Sequence, residues 1–277
     1  MKIKDHFLSQ EEFKIIETEI QGIYKTSPLP DDLGKYYESK DYISHHQDSG
    51  SLKEEVYKFL QKFNLNYKKN IIKNEIGNHL KILDYGCGAG EFVKFIENEY
   101  TTFGFEPNEN ARNFAKQKSE KTIFISSPEL TEIENESLDA ITLWHVFEHI
   151  EEREKYLKIF HEKLKPNGLL IIAVPNHTSY DGKKYKEFWA AYDVPRHLWH
   201  FSQESIRLLF EEKGFKLIGV KPMPFDAFYV SLLSEKYKSG RMNFLKGFYH
   251  GLLSNLSALR TGEYSSLIYL LKVKGKK

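Results

Sequence analysis

The pattern of apolar and polar positions along this chain of 277 residues changes at about residue 80. Up to about residue 80 the sequence is polar and rich in Tyr and Lys. Apolar residues recur there at helical spacing over 11–20 and 52–63, with a loop over 27–32 between them. From residue 81 onward, short apolar runs alternate with amphipathic stretches. We therefore predict a helical N-terminal cap over 1–80, followed by one large domain over 81–277.

The alternation after residue 80 predicts an α/β domain. The predicted strands cover 82–84, 102–105, 122–126, 138–143, 169–174, 215–221 and 265–273. The predicted helices cover 91–98, 108–118, 152–164 and 202–214, and a tight turn is predicted at 165–168. Short buried strands between helices are typical of a doubly wound, mostly parallel sheet with both faces covered. Residues 176–201 lack a period and are predicted to form a lid or substrate loop, and 223–263 a helical insertion.

Composition narrows the class of protein and its partners. Hydrophobic residues make up 40% and charged residues 29%, which is ordinary for a globular protein. A net charge of +1 gives no global field toward nucleic acid or an anionic membrane, so no nucleic-acid partner is expected. No apolar run approaches the roughly 18 residues of a membrane span. The lone cysteine, Cys87, excludes an intrachain disulfide, and together with the lack of a leader peptide it predicts a cytoplasmic protein.

Residues 82–92 carry the most informative pattern: a buried strand, a glycine-rich turn and the start of a helix. Gly86, Gly88 and Gly90 permit a close backbone approach to a ligand. Twenty residues after Gly86, Glu106 ends the next predicted strand and can accept hydrogen bonds from both hydroxyls of a ribose. This layout predicts a cofactor containing adenosine at the carboxyl edge of the sheet. The alternative is a tight strand-to-helix turn without a ligand.

The spacing of the glycines separates two kinds of cofactor. A dinucleotide fingerprint has the form G-x-G-x-x-G and places a pyrophosphate at a helix N-terminus. Here the glycines follow G-x-G-x-G, and Asp84 precedes the first of them by two residues. A carboxylate beside the loop would repel a pyrophosphate, whereas it suits an ammonium or sulfonium centre. An oxidoreductase that binds NAD is therefore the less favoured reading.

Several motifs in this order and spacing resemble the class I S-adenosylmethionine-dependent methyltransferases over about residues 81–221. Within that class the chain resembles the branch related to ubiquinone-biosynthesis O-methyltransferases. The motifs are Leu83-Asp84-Tyr85-Gly86-Cys87-Gly88-Ala89-Gly90, Gly104-Phe105-Glu106-Pro107, Ser137-Leu138-Asp139-Ala140-Ile141, Val146-Phe147-Glu148-His149-Ile150, Leu164-Lys165-Pro166-Asn167-Gly168-Leu169 and Asp193-Val194-Pro195-Arg196-His197-Leu198-Trp199-His200-Phe201. The resemblance implies a Rossmann-like, seven-stranded sheet whose last strand is antiparallel.

The same resemblance implies S-adenosyl-L-methionine as cofactor and S-adenosyl-L-homocysteine as product. The cofactor-binding residues that it implies are Asp84, Gly86, Cys87, Gly88, Gly90, Glu106, Pro107, Glu129, Leu130, Trp144 and His145. In this chain the acidic-apolar pair that holds the adenine departs from the family position. Glu129 and Leu130 would substitute for that pair, displaced by a residue or two.

Histidines supply the candidate catalytic groups. His145, Glu148 and His149 have i, i+3, i+4 spacing, which predicts one shared face if a helix starts there. Some relatives bind a divalent metal with Glu, Glu and His at these positions. Since His145 replaces the first Glu, no metal is expected. We predict His149, His197 and His200 as catalytic, because imidazole titrates near neutrality and can take a proton from a hydroxyl. Ordering of the loop is the alternative for the last two.

An aromatic group from the N-terminal region completes the candidates: Tyr36, Tyr37, Tyr42, His45 and His46 either close over the cofactor or pack within the cap. We predict a methyltransferase that modifies a small molecule, at a hydroxyl. Methylation of nitrogen or carbon on a lipid or other acceptor is the alternative reaction. A non-catalytic cofactor-binding module is a third reading. The acceptor and the oligomeric state do not follow from the sequence.

Overall fold

The computed structural model describes residues 1–37, 52–77 and 80–274. The strands are β1 (Lys2–Lys4), β2 (Glu12–Glu17), β3 (Ile23–Ser27), β4 (Lys81–Tyr85), β5 (Thr101–Phe105), β6 (Ile123–Ile125), β7 (Leu138–Trp144), β8 (Leu164–Pro175), β9 (Trp199–Phe201), β10 (Phe215–Pro222) and β11 (Ser266–Val273). The α-helices are α1 (Leu52–Ile76), α2 (Glu91–Ile96), α3 (Glu109–Lys118), α4 (Arg153–Lys163), α5 (Tyr180–Tyr185), α6 (Gln203–Glu212), α7 (Pro224–Ser239) and α8 (Phe244–Thr261). Short 3₁₀ turns cover Gly34–Tyr37, Phe147–His149, Lys186–Phe188 and Ala190–Tyr192.

Seven strands form one sheet in the order β10-β11-β8-β7-β4-β5-β6. β4 pairs in parallel with both β5 and β7, and β5 pairs in parallel with β6. The chain therefore reverses its direction of winding between β4 and β7, which is where open α/β sheets bind ligands. The predicted seven-stranded, mostly parallel sheet with flanking helices is confirmed. The antiparallel direction of its last strand stays a prediction.

Burial explains why these segments form strands. All six residues of 169–174 in β8 are buried, as expected for a strand covered on both faces. Side-chain caps fix where the helices begin: the Asn108 side chain accepts a hydrogen bond from the Ala111 N–H, and Ser202 forms a capping box with Ser205. The predicted helical insertion over 223–263 is confirmed as α7 and α8. The predicted turn at 165–168 lies within β8, where Asn167 has φ 66°.

The prediction of a wholly helical region before residue 80 is wrong for residues 1–37. The predicted helix over 11–20 is β2, in which Phe13 and Ile15 are buried while Glu12 and Lys14 are exposed. This period of two is the pattern of a half-buried strand. β2 belongs to a four-stranded sheet in the order β1-β2-β3-β9. The predicted helix over 52–63 is confirmed as part of α1.

Contacts group the described residues into two units. The first contains 1–37, 145–153 and 172–271, and the second contains 52–77, 80–144, 154–171 and 272–274. The domain boundary predicted at residue 80 stays a prediction. Among the described residues, no helix combines the length and the apolar character needed to cross a membrane.

A buried ion pair lies in the first unit. Arg196 Nη2 lies 3.1 Å from Asp5 Oδ1 and 2.6 Å from Asp193 Oδ1, and Nη1 donates to the Tyr36 carbonyl. Burial alone would raise the pKa of Asp5, but the Ser9 N–H and the Arg196 guanidinium hold that pKa below its ordinary value. Both Asp5 and Arg196 are at most 1% exposed, so each charge depends on the other for compensation.

Replacing Arg196 with Ala is expected to lower the free energy of unfolding by about 3–5 kcal/mol, because it leaves the Asp5 carboxylate buried without its partner. Urea unfolding of the wild type and the variant measures this change. Arg207→Ala is the matched control, since Arg207 pairs with Glu204 and Glu211 on the surface and exposed pairs contribute little. Equal effects of the two substitutions would contradict this role of Arg196.

Candidate functional site

The glycine-rich loop follows β4 and is tied to β5 by two hydrogen bonds. The N–H groups of Gly86 and Cys87 both donate to the Phe105 carbonyl, at 2.7 and 2.9 Å. Gly86 and Gly88 have φ of 79° and 54°, a region that side chains disfavour. A Cβ added to Gly88 would meet no atom within 4 Å. The loop therefore presents its backbone to open space at Gly88.

Gly90 and Cys87 have packing roles in this loop. A Cβ on Gly90 would come within 2.8 Å of the Ala115 Cβ, so Gly90 lets α2 and α3 approach closely. The Cys87 thiol is buried and packs against Gly104 of β5. Burial raises the pKa of the thiol well above its usual range, which makes it unreactive. Their predicted contacts with the cofactor stay predictions.

Glu106 is held in place from both sides by backbone donors. The Gly88 N–H donates to Oε2 and the Asn108 N–H donates to Oε1, each at 2.9 Å. Burial raises the pKa of this carboxyl, while the two N–H groups oppose that shift. Each carboxylate oxygen keeps further lone-pair capacity for a ligand hydroxyl. The next residue, Pro107, is exposed, and its carbonyl accepts from Arg112.

Asp84 is the second acid at this edge of the sheet, and it is 3% exposed. The Thr142 hydroxyl donates to Asp84 Oδ1 at 2.6 Å, and the two residues are register partners in β4 and β7. Burial raises the pKa of Asp84 to about 6, against the opposing effects of Thr142 and the Lys68 ammonium. Thr142 was not predicted from the sequence, although its place on β7 two residues before Trp144 offered a signal.

Trp144 ends β7. Its ring stands edge-on to Phe92 at 5.5 Å, and the Lys68 ammonium lies 4.5 Å from the ring centroid. Within the described residues, the buried Trp144 Nε1–H has no hydrogen-bond acceptor. A buried N–H without an acceptor is uncommon in folded proteins, so this donor is a candidate contact for a ligand.

The two residues predicted to hold an adenine differ in exposure. The Glu129 carboxylate is 42% exposed and pairs with Lys155 at 3.1 Å. Leu130 is completely buried, with φ 55°. The loop around them is closed by Glu132, which accepts hydrogen bonds from the backbone N–H groups of Ser126 and Ser127. Contacts of Glu129 and Leu130 with an adenine stay predictions, and Leu130 offers no side-chain surface for one.

In the first unit, His145 is bound by two carboxylates. Its Nδ1 lies 3.3 Å from Glu148 Oε1 and its Nε2 lies 3.0 Å from Asp226 Oδ2. Burial alone would lower the pKa of His145, but the two carboxylates raise it to about 10, so the ring is an imidazolium at neutral pH. Both ring nitrogens are therefore occupied, which leaves no ring nitrogen for the predicted cofactor contact. Asp226 was not predicted, because 81 residues separate it from His145.

The helix that would place His145, Glu148 and His149 on one face does not start at His145. His145 has φ 57° and precedes a 3₁₀ turn that contains Glu148 and His149. The ligand atoms of Glu148, His149 and His197 instead lie within 4.8 Å of one another. We call these three residues the acceptor cluster, because each offers one ligand atom that can accept a hydrogen bond. They are the one group of this type in the described ranges that could hold a metal ion, and the expectation of no metal stays a prediction.

The hydrogen-bond partners of His149 and His197 define the tautomers of the two rings. His149 Nδ1 lies 2.9 Å from the Arg196 carbonyl and His197 Nδ1 lies 2.9 Å from the Ala191 carbonyl. A carbonyl only accepts hydrogen bonds, so each Nδ1 carries the proton and each Nε2 has a lone pair when the ring is neutral. Burial, with His197 adding to it, lowers the pKa of His149 to about 4, so that ring is neutral at pH 7.

Glu148 completes the acceptor cluster. It is fully buried, its Oε1 lies 3.9 Å from His197 Nε2, and its Oε2 has no hydrogen-bond partner in the described part of the chain. Burial alone would raise the pKa of Glu148, but His145 and then His197 hold it below its ordinary value. The cluster thus combines a buried carboxylate oxygen with two imidazole nitrogens. It is suited to a group that donates hydrogen bonds or carries positive charge.

His200 does not join this cluster. The Thr26 hydroxyl donates to the His197 carbonyl at 2.6 Å, so His200 Nε2, 3.0 Å away, donates to the Thr26 oxygen. Burial holds the pKa of His200 well below its ordinary value. The ring is 4% exposed and stacks edge-on with Tyr192. These contacts support the alternative role, in which His200 orders the pairing of β3 with β9.

The aromatic group from the N-terminal region is only partly described. Tyr36 is buried and its hydroxyl donates to Glu11, which is a packing role. The Tyr37 hydroxyl lies 3.0 Å from His149 Nδ1, beside the acceptor cluster. Tyr42, His45 and His46 lie outside the described residues.

Comparison with known proteins places the chain among methyltransferases. A family model described as a methyltransferase domain matches residues 44–220. Human mitochondrial ubiquinone biosynthesis O-methyltransferase is 28% identical over 190 residues, which cover 58% of this chain and 51% of that protein. A ubiquinone/menaquinone biosynthesis C-methyltransferase from Campylobacter jejuni is 28% identical over 102 residues, covering 34% and 43% of the two chains. The chain spans about half the length of the curated relatives it matches.

Solved structures agree in fold. The magnesium protoporphyrin IX methyltransferase of Synechocystis, crystallised with S-adenosylhomocysteine, superimposes with a TM-score of 0.55 at 13% identity. The match covers 87% of this chain and 97% of that chain. At this level of identity the likeness concerns the fold alone.

The paired imidazolium of His145 predicts a pH dependence of stability. Its folded pKa of about 10 lies above the ordinary value of 6.5, so its contribution is complete below pH 6.5 and is lost as the pH rises through 10. The melting temperature of the wild type should therefore fall more between pH 6.5 and 10 than that of His145→Gln. His6→Gln is the control: the pKa of His6 is lowered, and its substitution should leave the slope in this range unchanged. Parallel slopes in all three proteins would show that His145 is not charged in the folded state.

Proposed function

This chain belongs to the methyltransferase domain family, and we propose that it transfers the methyl group of S-adenosyl-L-methionine to a hydroxyl of a small-molecule acceptor. S-adenosyl-L-homocysteine would be the second product. The observation that supports this proposal most directly is the orientation of Glu106 by the N–H groups of Gly88 and Asn108, next to a loop that is open at Gly88.

The residues of the second unit fit the cofactor in charge and in hydrogen-bonding capacity. Glu106 would accept hydrogen bonds from the two ribose hydroxyls, since both of its oxygens are fixed and have spare lone pairs. Asp84 would face the methionine ammonium directly or through water. Burial has raised its pKa to about 6, and a cation nearby would favour its charged form. The buried Trp144 Nε1–H, which lacks an acceptor in the described residues, fits a polar atom of the same ligand.

The bound cofactor supplies an activated methyl group on a sulfonium with a good leaving group. The protein must then hold the acceptor in line, exclude water and accept a proton if the acceptor is a hydroxyl. The acceptor cluster offers suitable groups for the last task. His197 Nε2 has a lone pair in the neutral ring, and the Glu148 carboxylate would stabilise the imidazolium that forms after proton transfer. His149, with a pKa of about 4, would orient the hydroxyl rather than remove its proton.

A nitrogen acceptor is the second candidate. A neutral amine could donate hydrogen bonds to two members of the acceptor cluster, and the Glu148 carboxylate would stabilise the positive charge that the nitrogen gains on methylation. Mass spectrometry of the methylated product separates the two cases, because an O-methyl and an N-methyl compound fragment differently. Methylation at carbon would show in the same spectrum and would overturn the assignment to a hydroxyl.

Calorimetric titration with S-adenosyl-L-methionine, S-adenosyl-L-homocysteine and NAD tests the cofactor. We expect micromolar binding of the first two and none of NAD. Glu106→Ala should weaken binding at least ten-fold, because two hydrogen bonds to a charged group are worth roughly 1.5–3 kcal/mol each. Glu109→Ala is the matched control, since Glu109 is exposed three residues further on. Unchanged affinity in Glu106→Ala would remove the ribose assignment.

His197→Ala tests the acceptor side. With radiolabelled S-adenosyl-L-methionine and a panel of phenols and alcohols, we expect turnover to fall by about 10²–10⁴ while cofactor affinity stays unchanged. Added imidazole should restore part of the turnover. His6→Ala is the control and should behave like the wild type, because it removes ring contacts with Phe188 and Tyr237 outside the acceptor cluster. Equal losses of turnover and cofactor affinity would assign His197 to cofactor binding instead of proton transfer.

A further inference from the structure

The outer face of α8 exposes a row of large apolar side chains. This apolar stripe consists of Phe244, Leu245, Phe248, Leu252, Leu256 and Leu259. Each is at least 40% exposed, and Leu245 reaches 86%. Their spacing of three or four residues places them on one side of the helix. Single exposed leucines are common, whereas a contiguous apolar patch marks an interaction site.

Close packing on the opposite face prevents α8 from rotating to bury the stripe. A Cβ added to Gly247 would come 2.8 Å from the Leu232 Cα, and one on Gly251 would come 2.8 Å from the Phe228 Cα. The backbone of α8 thus lies directly against α7. Only glycine fits at these two positions, so the large side chains of α8 must point outward.

The charged residues of α8 and of the segment 236–243 before it are all basic. The segment 236–260 contains five Lys and Arg residues and no Asp or Glu: Lys236, Lys238, Arg241, Lys246 and Arg260. A charge of +5 on this segment contrasts with +1 for the whole chain. The basic residues come from the end of α7, the loop after it and α8 itself.

A cleft of about 430 Å³ lies beside two of these cations, Lys238 and Lys246. It is lined by Lys184, Lys238, Lys246, His250, Tyr249 and Ser239, together with the Glu235 carboxylate. Glu235 is buried and accepts a hydrogen bond from the Tyr185 hydroxyl. Within the described residues the three lysines form no ion pair with a carboxylate. The cleft therefore presents positive charge of the kind that binds a phosphate group.

We propose that α7 and α8 dock onto the surface of an anionic lipid bilayer. The apolar stripe would enter the boundary between headgroups and acyl chains, and the cleft would take a lipid phosphate. An apolar helix face bordered by lysine and arginine is the pattern of helices that lie in a membrane interface, and each cation near an anionic surface adds to the affinity. A second copy of this chain suits the face less well. Antiparallel self-pairing would place Lys246 of one copy near Arg260 of the other.

Co-sedimentation with vesicles tests the proposal. The full chain should bind vesicles of phosphatidylglycerol and phosphatidylcholine in equal parts, and bind vesicles of phosphatidylcholine alone at least ten-fold more weakly. The double variant Lys238→Gln/Lys246→Gln should lose affinity by about five-fold per lysine, and added salt should reduce the difference from the wild type. Lys216→Gln/Lys221→Gln is the charge-matched control, because both lysines are exposed on β10 in the same unit.

The apolar stripe is tested separately with Leu245→Glu/Phe248→Glu, which should lose at least ten-fold in vesicle affinity. Leu208→Glu, at an exposed leucine of α6, should keep wild-type binding. Circular dichroism checks that each variant is folded. We expect folding, because the substituted side chains are exposed. Absence of vesicle binding by the wild type would overturn the proposal, as would a dimer in solution that Leu245→Glu dissolves. None of these readouts depends on methyl transfer, so the outcome is independent of the proposed function.

Discussion

The burial of the Glu148 carboxylate is the constraint around which the candidate catalytic region is arranged. A carboxylate with no access to water must be compensated by nearby cations or donors. His145 supplies one positive charge, but it shares that charge with Asp226 at 3.0 Å. One imidazolium between two carboxylates leaves a net negative charge, and Glu148 Oε2 is without a donor in the described residues. The remaining negative charge favours a further donor or cation at the acceptor cluster.

The backbone around Glu148 holds this arrangement in place. The Leu198 N–H donates to the Glu148 carbonyl at 2.9 Å, and the Trp199 indole N–H donates to the Ile150 carbonyl. These bonds join the 3₁₀ turn to the segment that carries His197. A small displacement of either segment would separate the carboxylate from the imidazole, so the geometry of the cluster depends on chain segments about 50 residues apart.

Glu106 and Asp84, the two acids near the glycine loop, differ in how far hydrogen-bond donors compensate their burial. Glu106 receives two backbone donors, whereas Asp84 receives one hydroxyl, from Thr142. Burial raises the pKa of both carboxyls. A carboxyl whose charge is poorly compensated destabilises the free protein above its pKa and regains that free energy when a cation binds. The charge of Asp84 therefore suits the binding of a cationic ligand better than it suits stabilisation of the fold.

Local patterns predicted the parallel sheet well, and contacts between distant segments account for what was missed. The apolar runs of β4 and β8, the glycine loop and Glu106 are all legible within a few residues of sequence. β2 was mistaken for a helix because Ile16 and Ile20 add apolar residues at helical spacing to the alternation of Phe13 and Ile15. β3 pairs with β9 across more than 170 residues, and the sequence around β3 contains no pattern that indicates this partner. His145 was misassigned for the same reason, since Asp226 comes from α7.

The charge of the chain illustrates a related limit of composition. A net charge of +1 argues that no global field draws the protein to an anionic membrane, and for the chain as a whole that argument holds. A surface is nevertheless felt only over a Debye length, about 8–10 Å in physiological salt. Over that distance the +5 of residues 236–260 acts together with Glu235, the one acid among the residues that line the cleft. The glycines that press α8 against α7 place the apolar stripe beside these cations, so the packing of two helices, and not the total charge, decides which surface the bilayer would meet.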